Sequence, residues 1–303
     1  MRSPLRAIAA AQHGAFSARQ AVTCYSPREL RSRVSAGRWL PVHERTYRCR
    51  TSEPNARLRL AAAAVLSIGR PVPACLHTAA ELHGFGVLDD PVTHVAVGTD
   101  LPCRHRDGLW PHQLALAPRD VVTLRCGATR HLRRPHRRRP RPPAPRLDVL
   151  PVLDAASAAG VCTPESLAAE VERHAGLRGV RQARELIPLA DHRPESPQES
   201  RLRLRCHDAG LPPPTLQLPV PDARGKACRW IDLGWEEVKV GIEYDGEQYH
   251  DDTPDRRRSD RRRHNFLQDD GWSMFYATDL DVYRDFGDLM AKVGAAIDRR
   301  SRR

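Results

Sequence analysis

Two carboxylates stand two positions apart at the end of an apolar segment, where Glu243 and Asp245 follow Val240 and Ile242. Successive side chains of a β-strand point to opposite faces, so a strand over 238–245 places both acids on one face and the apolar residues on the other. Two buried carboxylates repel each other and are costly to desolvate unless a cation lies between them. The pattern therefore predicts a cation-binding site on this strand.

A third carboxylate, Asp232, lies on a preceding predicted strand over 229–233. If the two strands are neighbours, Asp232, Glu243 and Asp245 converge on an all-oxygen site, which suits Mg²⁺ or Mn²⁺. A metal held in this way activates water and stabilises the charge that develops on a phosphodiester. The three acids are therefore candidate metal ligands and catalytic residues for phosphodiester hydrolysis.

Two further residues are candidates for supporting roles. His250 follows the turn at Gly246 and has the chemistry to orient or deprotonate the attacking water. Glu199 lies three residues after Ser196, near the start of a predicted helix. This spacing is also that of a capping box, so a structural role is open to Glu199 beside the catalytic one.

Ordinary structural roles are open to the strand acids as well. Asp245 precedes Gly246, which is a common turn sequence. Asp232 lies between Trp230 and Trp235 and has the charge to pair with an arginine. The joint presence of four acids nevertheless favours a site over four independent structural roles.

The elements expected to position these residues form a mixed α/β domain over 193–303. A helix begins after Ser196, where a capping hydroxyl precedes Pro197, and it ends at Gly210. Three strands, a helix, a fourth strand and a closing helix follow. Their expected ranges are 215–220, 229–233 and 238–245 for the three strands, 255–268 for the helix, 272–278 for the fourth strand and 285–299 for the closing helix.

The C-terminal residues carry a family resemblance. The layout Glu199…Asp232…Glu243-Tyr244-Asp245-Gly246…His250, followed by Gly271-Trp272, resembles the very-short-patch-repair-like branch of the PD-(D/E)xK endonucleases. The resemblance implies a restriction-endonuclease-like mixed sheet flanked by helices, and metal-dependent cleavage of DNA. By position it implies that Asp232 and Glu243 are metal ligands, with Glu199 as the supporting helix acid and His250 as an accessory group.

One position departs from the general nuclease motif, which has Lys two residues after the strand acid. This chain has Asp245 there, and Lys239, four residues before Glu243, is a poor substitute. The branch that the chain resembles also tends to lack this Lys. The absence of the motif lysine is therefore compatible with nuclease activity, but the sequence does not show which residue takes its place in the mechanism.

Residues 1–50 predict a winged helix-turn-helix domain, with three helices followed by two short strands. Ser26 and then Pro27 start the third helix, which ends at Gly37. The segments Gly14-Ala15-Phe16-Ser17 and Gly37-Arg38-Trp39-Leu40…Tyr47-Arg48 resemble the N-terminal domain of antitoxins of the abortive-infection type IV toxin–antitoxin class. The same fold serves many other regulators, so a protein partner of the toxin–antitoxin type is an expectation of the resemblance alone.

Two groups of arginines are candidate DNA contacts. Arg28, Arg31 and Arg33 belong to the third predicted helix, which suits contact with phosphates or the major groove. The alternative is a protein-interaction domain with a solvated Arg face. The helix predicted over 255–268 carries the second group, for which a solvated face with internal ion pairs is likewise the alternative. Its candidate contacts are Arg257, Arg261 and Arg262.

The net charge of +12 over 303 residues favours polyanionic partners such as DNA. Eight Arg and no acid lie within 130–146, however, so most of this charge belongs to one segment. We expect 127–149 to be a disordered Arg/Pro-rich linker, and a local shift of reading frame is the alternative origin of its sequence. This predicted linker separates a mixed α/β connector at 51–126 from a helical connector at 150–192.

Cysteine, histidine and apolar patterns exclude other classes. The eight Cys include no C-x-x-C pair, which disfavours a zinc site. The length of the chain and the lack of a signal-peptide pattern disfavour a disulfide scaffold. The longest apolar run, 60–66, is too short to span a bilayer. These features predict a cytoplasmic protein with no membrane partner. Five histidines show no metal-ligand spacing and are expected to be solvated or core residues: His77, His83, His94, His105 and His112.

The sequence thus supports a divalent-metal-dependent DNA endonuclease of a repair or defence type, with an N-terminal winged helix for targeting. The first alternative is a catalytically inactive DNA-binding regulator, or an antitoxin-like protein, on a nuclease scaffold. The second is a protein-interaction module within a toxin–antitoxin pair.

Overall fold

In the computed structural model the described residues are 1–66, 72–88, 90–98, 105–114, 121–123, 129–131, 145–173, 175–176, 179–222, 224–246 and 265–302. They divide into two compact units, Met1–Pro142 and Pro143–Arg303. Both units contain helices and sheets, which confirms the mixed α/β class predicted from the sequence. None of the helices within these residues is long and apolar enough to cross a membrane.

The first unit begins with three short helices and a three-stranded antiparallel sheet of order β1-β3-β2. The predicted helix start at Ser26 is confirmed by a reciprocal capping box with Glu29, and Ser17 forms the same motif with Gln20. Phe16 and Trp39 meet edge to face in the core, with ring centroids 4.9 Å apart. The elements are α1 (Ser3–Ala11), β1 (Ala15–Ser17), α2 (Ala18–Ala21), α3 (Pro27–Ser35), β2 (Trp39–His43) and β3 (Thr46–Cys49).

Two helices and two strand pairs follow in the described part of the first unit. A core of small and aliphatic side chains, among them Leu60, Ala79 and Val95, joins the helices to the first strand pair. That pair is parallel and the second pair is antiparallel. The elements are α4 (Ala56–Leu66), α5 (Leu76–Leu82), β4 (Thr93–Val97), β5 (Leu109–Gln113), β6 (Val121–Thr123) and β7 (Thr129–His131).

The predicted linker over 127–149 contains two elements within the described residues. One is β7, and the other is the first turn of α6 (Arg146–Ala158). Helix α6 therefore begins four residues before the expected boundary at 150, and β7 lies within the predicted linker. Residues 127–128 and 132–144 of the predicted linker lie outside the described residues, and so does the bulk of its Arg/Pro-rich sequence.

The helices of the second unit pack onto its C-terminal part. α6 is followed by α7 (Pro164–Arg173) and α8 (Val180–Leu186), and it lies against α9 (Pro197–Asp208). Leu150, Leu186 and Leu204 form a fully buried cluster at this contact. Asp154, only 3% exposed, pairs there with Arg203 at 2.6 Å between Oδ2 and Nη2. The residues predicted as a helical connector at 150–192 therefore share a core with α9.

A four-stranded mixed sheet of order β11-β10-β9-β8 is the centre of the second unit. Its neighbours pair antiparallel except β10 and β11, which are parallel. α9 and the last helix cover one face through a cluster that includes Leu202, Leu233 and Val293. Residues 265–269 are helical and contribute Leu267 to the other face. The elements are β8 (Thr215–Pro221), β9 (Ala227–Trp235), β10 (Val240–Tyr244), β11 (Ser273–Ala277), α10 (Asp279–Tyr283) and α11 (Phe286–Ser301).

Strand β8 changes face at Gln217. Leu216 packs with Leu233 in the cluster under α9 and α11, whereas Leu218 belongs to the cluster on the other face. A Cβ added to Gly234 would lie 2.5 Å from Leu218 Cδ2, which places Leu218 opposite to Leu233. Residues i and i+2 of a regular strand share a face, so the backbone must turn over between them. It does so at Gln217, whose φ of +47° lies in the left-handed region.

Strand β9 changes face at the matching position. Ile231 packs opposite to Leu233, and a Cβ added to Gly241 would lie 2.9 Å from Ile231 Cγ2. The residue between them is Asp232. The pairing of β8 with β9 places Asp232 opposite Gln217, so both strands turn over at one cross-strand pair.

Candidate functional site

Glu199 is buried near the N-terminus of α9, with 8% of its surface exposed. Its backbone N–H donates to Ser196 Oγ at 3.2 Å, so Ser196 caps the helix as the sequence predicts. The carboxylate does not complete a capping box. Its Oε2 instead accepts hydrogen bonds from Glu195 N at 3.0 Å and Gln217 Nε2 at 2.8 Å. Glu199 thus connects the helix to strand β8.

Asp232 lies where regular pairing between β9 and β10 ends. The last paired residues are Leu233 and Ile242, and the next position in register sets Asp232 opposite Glu243. The Asp232 Oδ2 atom accepts a 2.9 Å hydrogen bond from the backbone N–H of Tyr244. Asp232 is partly buried, and Glu243 is only 7% exposed. Two carboxylates therefore occupy adjacent strands at one end of the ladder.

A polar row crosses the sheet at this level. Gln217 on β8 stands opposite Asp232 on β9, which stands opposite Glu243 on β10. Glu243 pairs in turn with Tyr276 on β11, whose side chain is 41% exposed. Glu199 joins the row through Gln217. One hydrogen bond and the strand register thus connect three of the predicted site residues: Glu199, Asp232 and Glu243.

Asp245 occupies a different environment. It is exposed just beyond β10, and its backbone N–H donates to Ala277 O at 2.8 Å. Its neighbour Tyr244 donates its hydroxyl to Asp279 Oδ1 at 2.7 Å. Burial, and then this hydrogen bond and the Asp279 charge, raise the pKa of the Tyr244 phenol well above its usual range. Tyr244 is therefore a neutral hydrogen-bond donor that fixes the end of β10 to α10.

Lys239 does not replace the missing motif lysine. It lies immediately before β10 with a left-handed φ of +47°. Its Nζ atom contacts Asp270 O at 2.7 Å and Asp270 Oδ2 at 3.1 Å. The Lys239 side chain is thus held at the start of β10, whereas the polar row crosses the sheet near the end of β10. This position agrees with the expectation that Lys239 is a poor substitute for the motif lysine.

The donor chemistry of the row suits a hard cation. Within the described residues, no group of three His, Cys, Asp or Glu side chains is arranged to hold a metal ion, so Asp232, Glu243 and Asp245 do not form a closed ligand set. Mg²⁺ is commonly held by only one or two carboxylates, with waters and substrate phosphates completing its shell. Asp232 and Glu243 are oxygen donors at adjacent positions and fit that requirement.

The predicted DNA contacts of α3 have two different environments. Arg28 and Arg31 are exposed, together with Ser32 and Ser35 on the same side of the helix. The guanidinium of Arg33 lies over aromatic rings instead, 4.6 Å from the Tyr25 centroid and 5.4 Å from the Trp39 centroid. Arg33 is therefore part of the packing of this unit. The other predicted residues, His250, Arg257, Arg261 and Arg262, lie outside the described residues.

The first unit contains a hydrogen-bonded cluster of histidines with Asp90 that the sequence did not predict. His94 is fully buried, as expected of a core histidine, but its Nε2 lies 2.9 Å from Asp90 Oδ2 and its Nδ1 lies 2.8 Å from His112 Nε2. His77 Nε2 is 3.8 Å from the same Asp90 oxygen. Burial raises the pKa of Asp90, but hydrogen bonds from His94 and Val92 N outweigh it and lower the pKa. The parallel pairing of β4 with β5 brings His94 close to His112, and the spacing of the two residues in the sequence does not indicate this contact.

Two curated proteins of Mycobacterium tuberculosis are similar to this chain. They are the uncharacterized protein Rv2248 of strain ATCC 25618 / H37Rv and the uncharacterized protein MT2308 of strain CDC 1551 / Oshkosh, each 34% identical over 256 residues. The match covers 82% of this chain and 89% of each relative. No protein-family model matches the chain, and no solved structure matches it. Because the identity extends over most of both sequences, the chain belongs to the same family as these two mycobacterial proteins.

Proposed function

We propose that the protein is a divalent-metal-dependent DNA endonuclease whose active site lies in the second unit. The observation that carries the proposal is the row Glu199–Gln217–Asp232–Glu243. It joins a helix acid to acids on two adjacent strands by hydrogen bonds and cross-strand register. A cation bound at Asp232 and Glu243 would offset part of the desolvation cost of placing these carboxylates on a packed sheet.

The order of elements supports the same proposal. A helix, three antiparallel strands, a helical segment at 265–269 and a strand parallel to the third follow one another. This is the arrangement expected from the resemblance to the very-short-patch-repair-like branch of the PD-(D/E)xK endonucleases. In that arrangement the acids fall on the first helix, the second strand and the third strand, as they do here.

The proposed chemistry assigns a task to each residue of the row. Asp232 and Glu243 would hold Mg²⁺ or Mn²⁺, which supplies Lewis acidity towards the scissile phosphate and an activated water. Asp232 is oriented by the Tyr244 amide. Glu199, held by Gln217, would add negative charge to the site. Asp245 is exposed next to the row, where a carboxylate has access to solvent and substrate.

The first unit is proposed to bind DNA. Its order of helices and strands, with the sheet order β1-β3-β2, fits a winged helix-turn-helix domain. Arg28 and Arg31 are exposed on α3 and have the charge and reach to contact phosphates. The +12 net charge of the chain favours the same partner.

One observation favours the alternative of a non-catalytic DNA-binding regulator. Asp245 occupies the position that the motif lysine has in the general nuclease motif. The Nζ atom of Lys239 is hydrogen-bonded to Asp270. A scaffold of this kind without its lysine retains cation binding but has lost one electrostatic contributor to catalysis. The toxin–antitoxin partner remains a prediction from the N-terminal resemblance.

A plasmid-nicking assay with Mg²⁺ or Mn²⁺ tests the proposal. The wild-type chain should nick supercoiled DNA in a metal-dependent manner, and Asp232→Asn and Glu243→Gln should each reduce the rate by more than about 100-fold, since even supporting residues of metal sites contribute 10–100-fold. Asp298→Asn and Glu237→Gln, which alter exposed acids of the same unit, are matched controls. Cleavage that survives both site substitutions would overturn the assignment. Absence of cleavage with any metal, combined with DNA binding, would favour the regulator instead.

A further inference from the structure

Gln217 has a backbone conformation that its residue type disfavours. Its φ of +47° lies in the left-handed region, where glycine and asparagine are the usual residues and where a longer side chain is strained. Its neighbours Leu216 and Leu218 are both paired regularly with β9. Within β8 the left-handed φ is therefore confined to this one residue.

The side chain of this strained residue makes a specific contact. Gln217 Nε2 donates to Glu199 Oε2 at 2.8 Å, and the same oxygen accepts from Glu195 N at 3.0 Å. Among the described residues both hydrogen bonds of the Glu199 carboxylate end on this one oxygen. Since Glu199 is 8% exposed, the two donors fix its orientation in a desolvated environment, where such bonds are strong.

We propose that Gln217 is a positioning residue that orients the Glu199 carboxylate beside Asp232 and Glu243. This inference rests on the proposed nuclease function. Gln217 lies opposite Asp232, so the one strained position of β8 coincides with the point at which the helix acid meets the row. Backbone strain that persists at such a point is typical of functional sites.

The choice of an amide has a physical reason. A lysine or arginine at position 217 would neutralise Glu199 by forming an ion pair and would compete with a cation for the negative charge of the row. A glutamine amide donates a hydrogen bond and carries no charge. It therefore fixes the orientation of Glu199 while leaving the charge of Glu199 available to the site.

Gln217→Asn and Gln217→Gly distinguish positioning from a structural role. Asparagine and glycine both tolerate a left-handed φ, so neither should lower Tm by more than about 3 °C, and relief of strain should offset part of the lost hydrogen bond. Neither residue reaches Glu199. We expect kcat to fall by about 10–100-fold with KM for DNA little changed, and Mn²⁺ affinity measured by calorimetry to fall in the same range. His13→Gly is the matched control, because exposed His13 also has a left-handed φ, of +53°.

A reciprocal exchange completes the test. Gln217→Glu should reduce Tm and activity, because it sets two carboxylates against each other. Adding Glu199→Gln restores an amide–carboxylate pair, so Tm should recover while nicking and Mn²⁺ affinity should not. Recovery of activity in the exchanged pair, or full activity and Mn²⁺ affinity in Gln217→Asn, would overturn the positioning role while leaving the nuclease intact. A wild-type chain that neither binds Mn²⁺ nor nicks DNA would overturn the nuclease function itself, and this role with it.

Discussion

The carboxylate of Asp232 accepts a hydrogen bond from the backbone N–H of Tyr244, with 2.9 Å between Oδ2 and N. A side chain on β9 thus satisfies a backbone donor of β10 at the point where the two strands stop pairing. The contact has two consequences. It fixes the orientation of an acid proposed to bind a metal, and it makes that acid part of the stability of the sheet.

Two substitutions of Asp232 distinguish its proposed role in metal binding from its role in the stability of the sheet. Asp232→Asn keeps a side-chain oxygen for the Tyr244 N–H but loses the negative charge, so the fold should be retained while Mn²⁺ binding is lost. Asp232→Ala leaves the partly buried Tyr244 N–H without this acceptor and should lower the free energy of unfolding by about 1 kcal/mol. Urea denaturation and calorimetry measure the two effects. Equal unfolding free energies for the two variants would contradict the structural role of the contact.

The buried ion pair of Asp154 with Arg203 should be essential to the second unit. Both side chains are largely buried, at 3% and 12% exposure, and Asp154 also accepts from Asp191 N at 2.9 Å. Asp154→Ala leaves the Arg203 charge buried without its partner, so we expect the free energy of unfolding to fall by about 3–5 kcal/mol.

Glu172→Ala is the control for this prediction, because Glu172 pairs with Arg184 at the surface and such pairs contribute about 0–1 kcal/mol. Urea denaturation of both variants measures the difference. A loss for Asp154→Ala no larger than that of the control would show that α6 is not held by this pair.

The lowered pKa of Asp191 predicts that the free energy of unfolding falls at acidic pH. Hydrogen bonds from the Arg193 side chain lower the pKa of Asp191 from its ordinary value of 3.8 to about 2. A carboxyl with a depressed folded-state pKa stabilises the fold above its unfolded pKa, and this contribution is lost as the pH falls towards the folded pKa. We expect the wild-type chain to lose at most about 2 kcal/mol from this group between pH 4 and pH 2.

Asp191→Asn provides the comparison for this effect. The variant should be less stable than the wild type at pH 6, and the difference should shrink as the pH falls to 2. Denaturation measured along this pH series gives both curves. Parallel curves for the two proteins would refute the shifted pKa.

The arginines of α3 should respond differently to substitution. Arg28→Ala and Arg31→Ala remove exposed charges, so each should weaken DNA binding and reduce the salt slope of the binding constant by about 1, with no loss of Tm. Arg33→Ala removes contacts with the Tyr25 and Trp39 rings, each of about 0.5–1 kcal/mol, and should lower the stability of the first unit. Fluorescence anisotropy at several salt concentrations and thermal denaturation separate the two effects. A salt slope unchanged in the Arg28→Ala and Arg31→Ala variants would exclude α3 as a DNA contact.

Local sequence determined most of the elements of this protein. Ser17 and Ser26 specify helix starts because a capping hydroxyl reaches an amide only three residues away. The apolar alternation of Val240 and Ile242 predicted β10 and the cluster of acids at its end. Each of these signals operates over a few residues, so no tertiary contact is needed to interpret it.

Only the tertiary structure decided how those elements meet. The spacing of Ser196 and Glu199 predicted a capping box, but the Glu199 carboxylate binds Gln217, eighteen positions away. The alternation of apolar residues in β8 did not predict that the strand turns over at Gln217. The face to which each side chain points depends on the residues that pack against it, and Leu216 and Leu218 pack in clusters on opposite faces. The contact of His94 with His112 likewise follows from the parallel pairing of β4 and β5. Caps and periodicity are local properties, whereas register, strain and the pairing of buried charges depend on residues that meet only after folding.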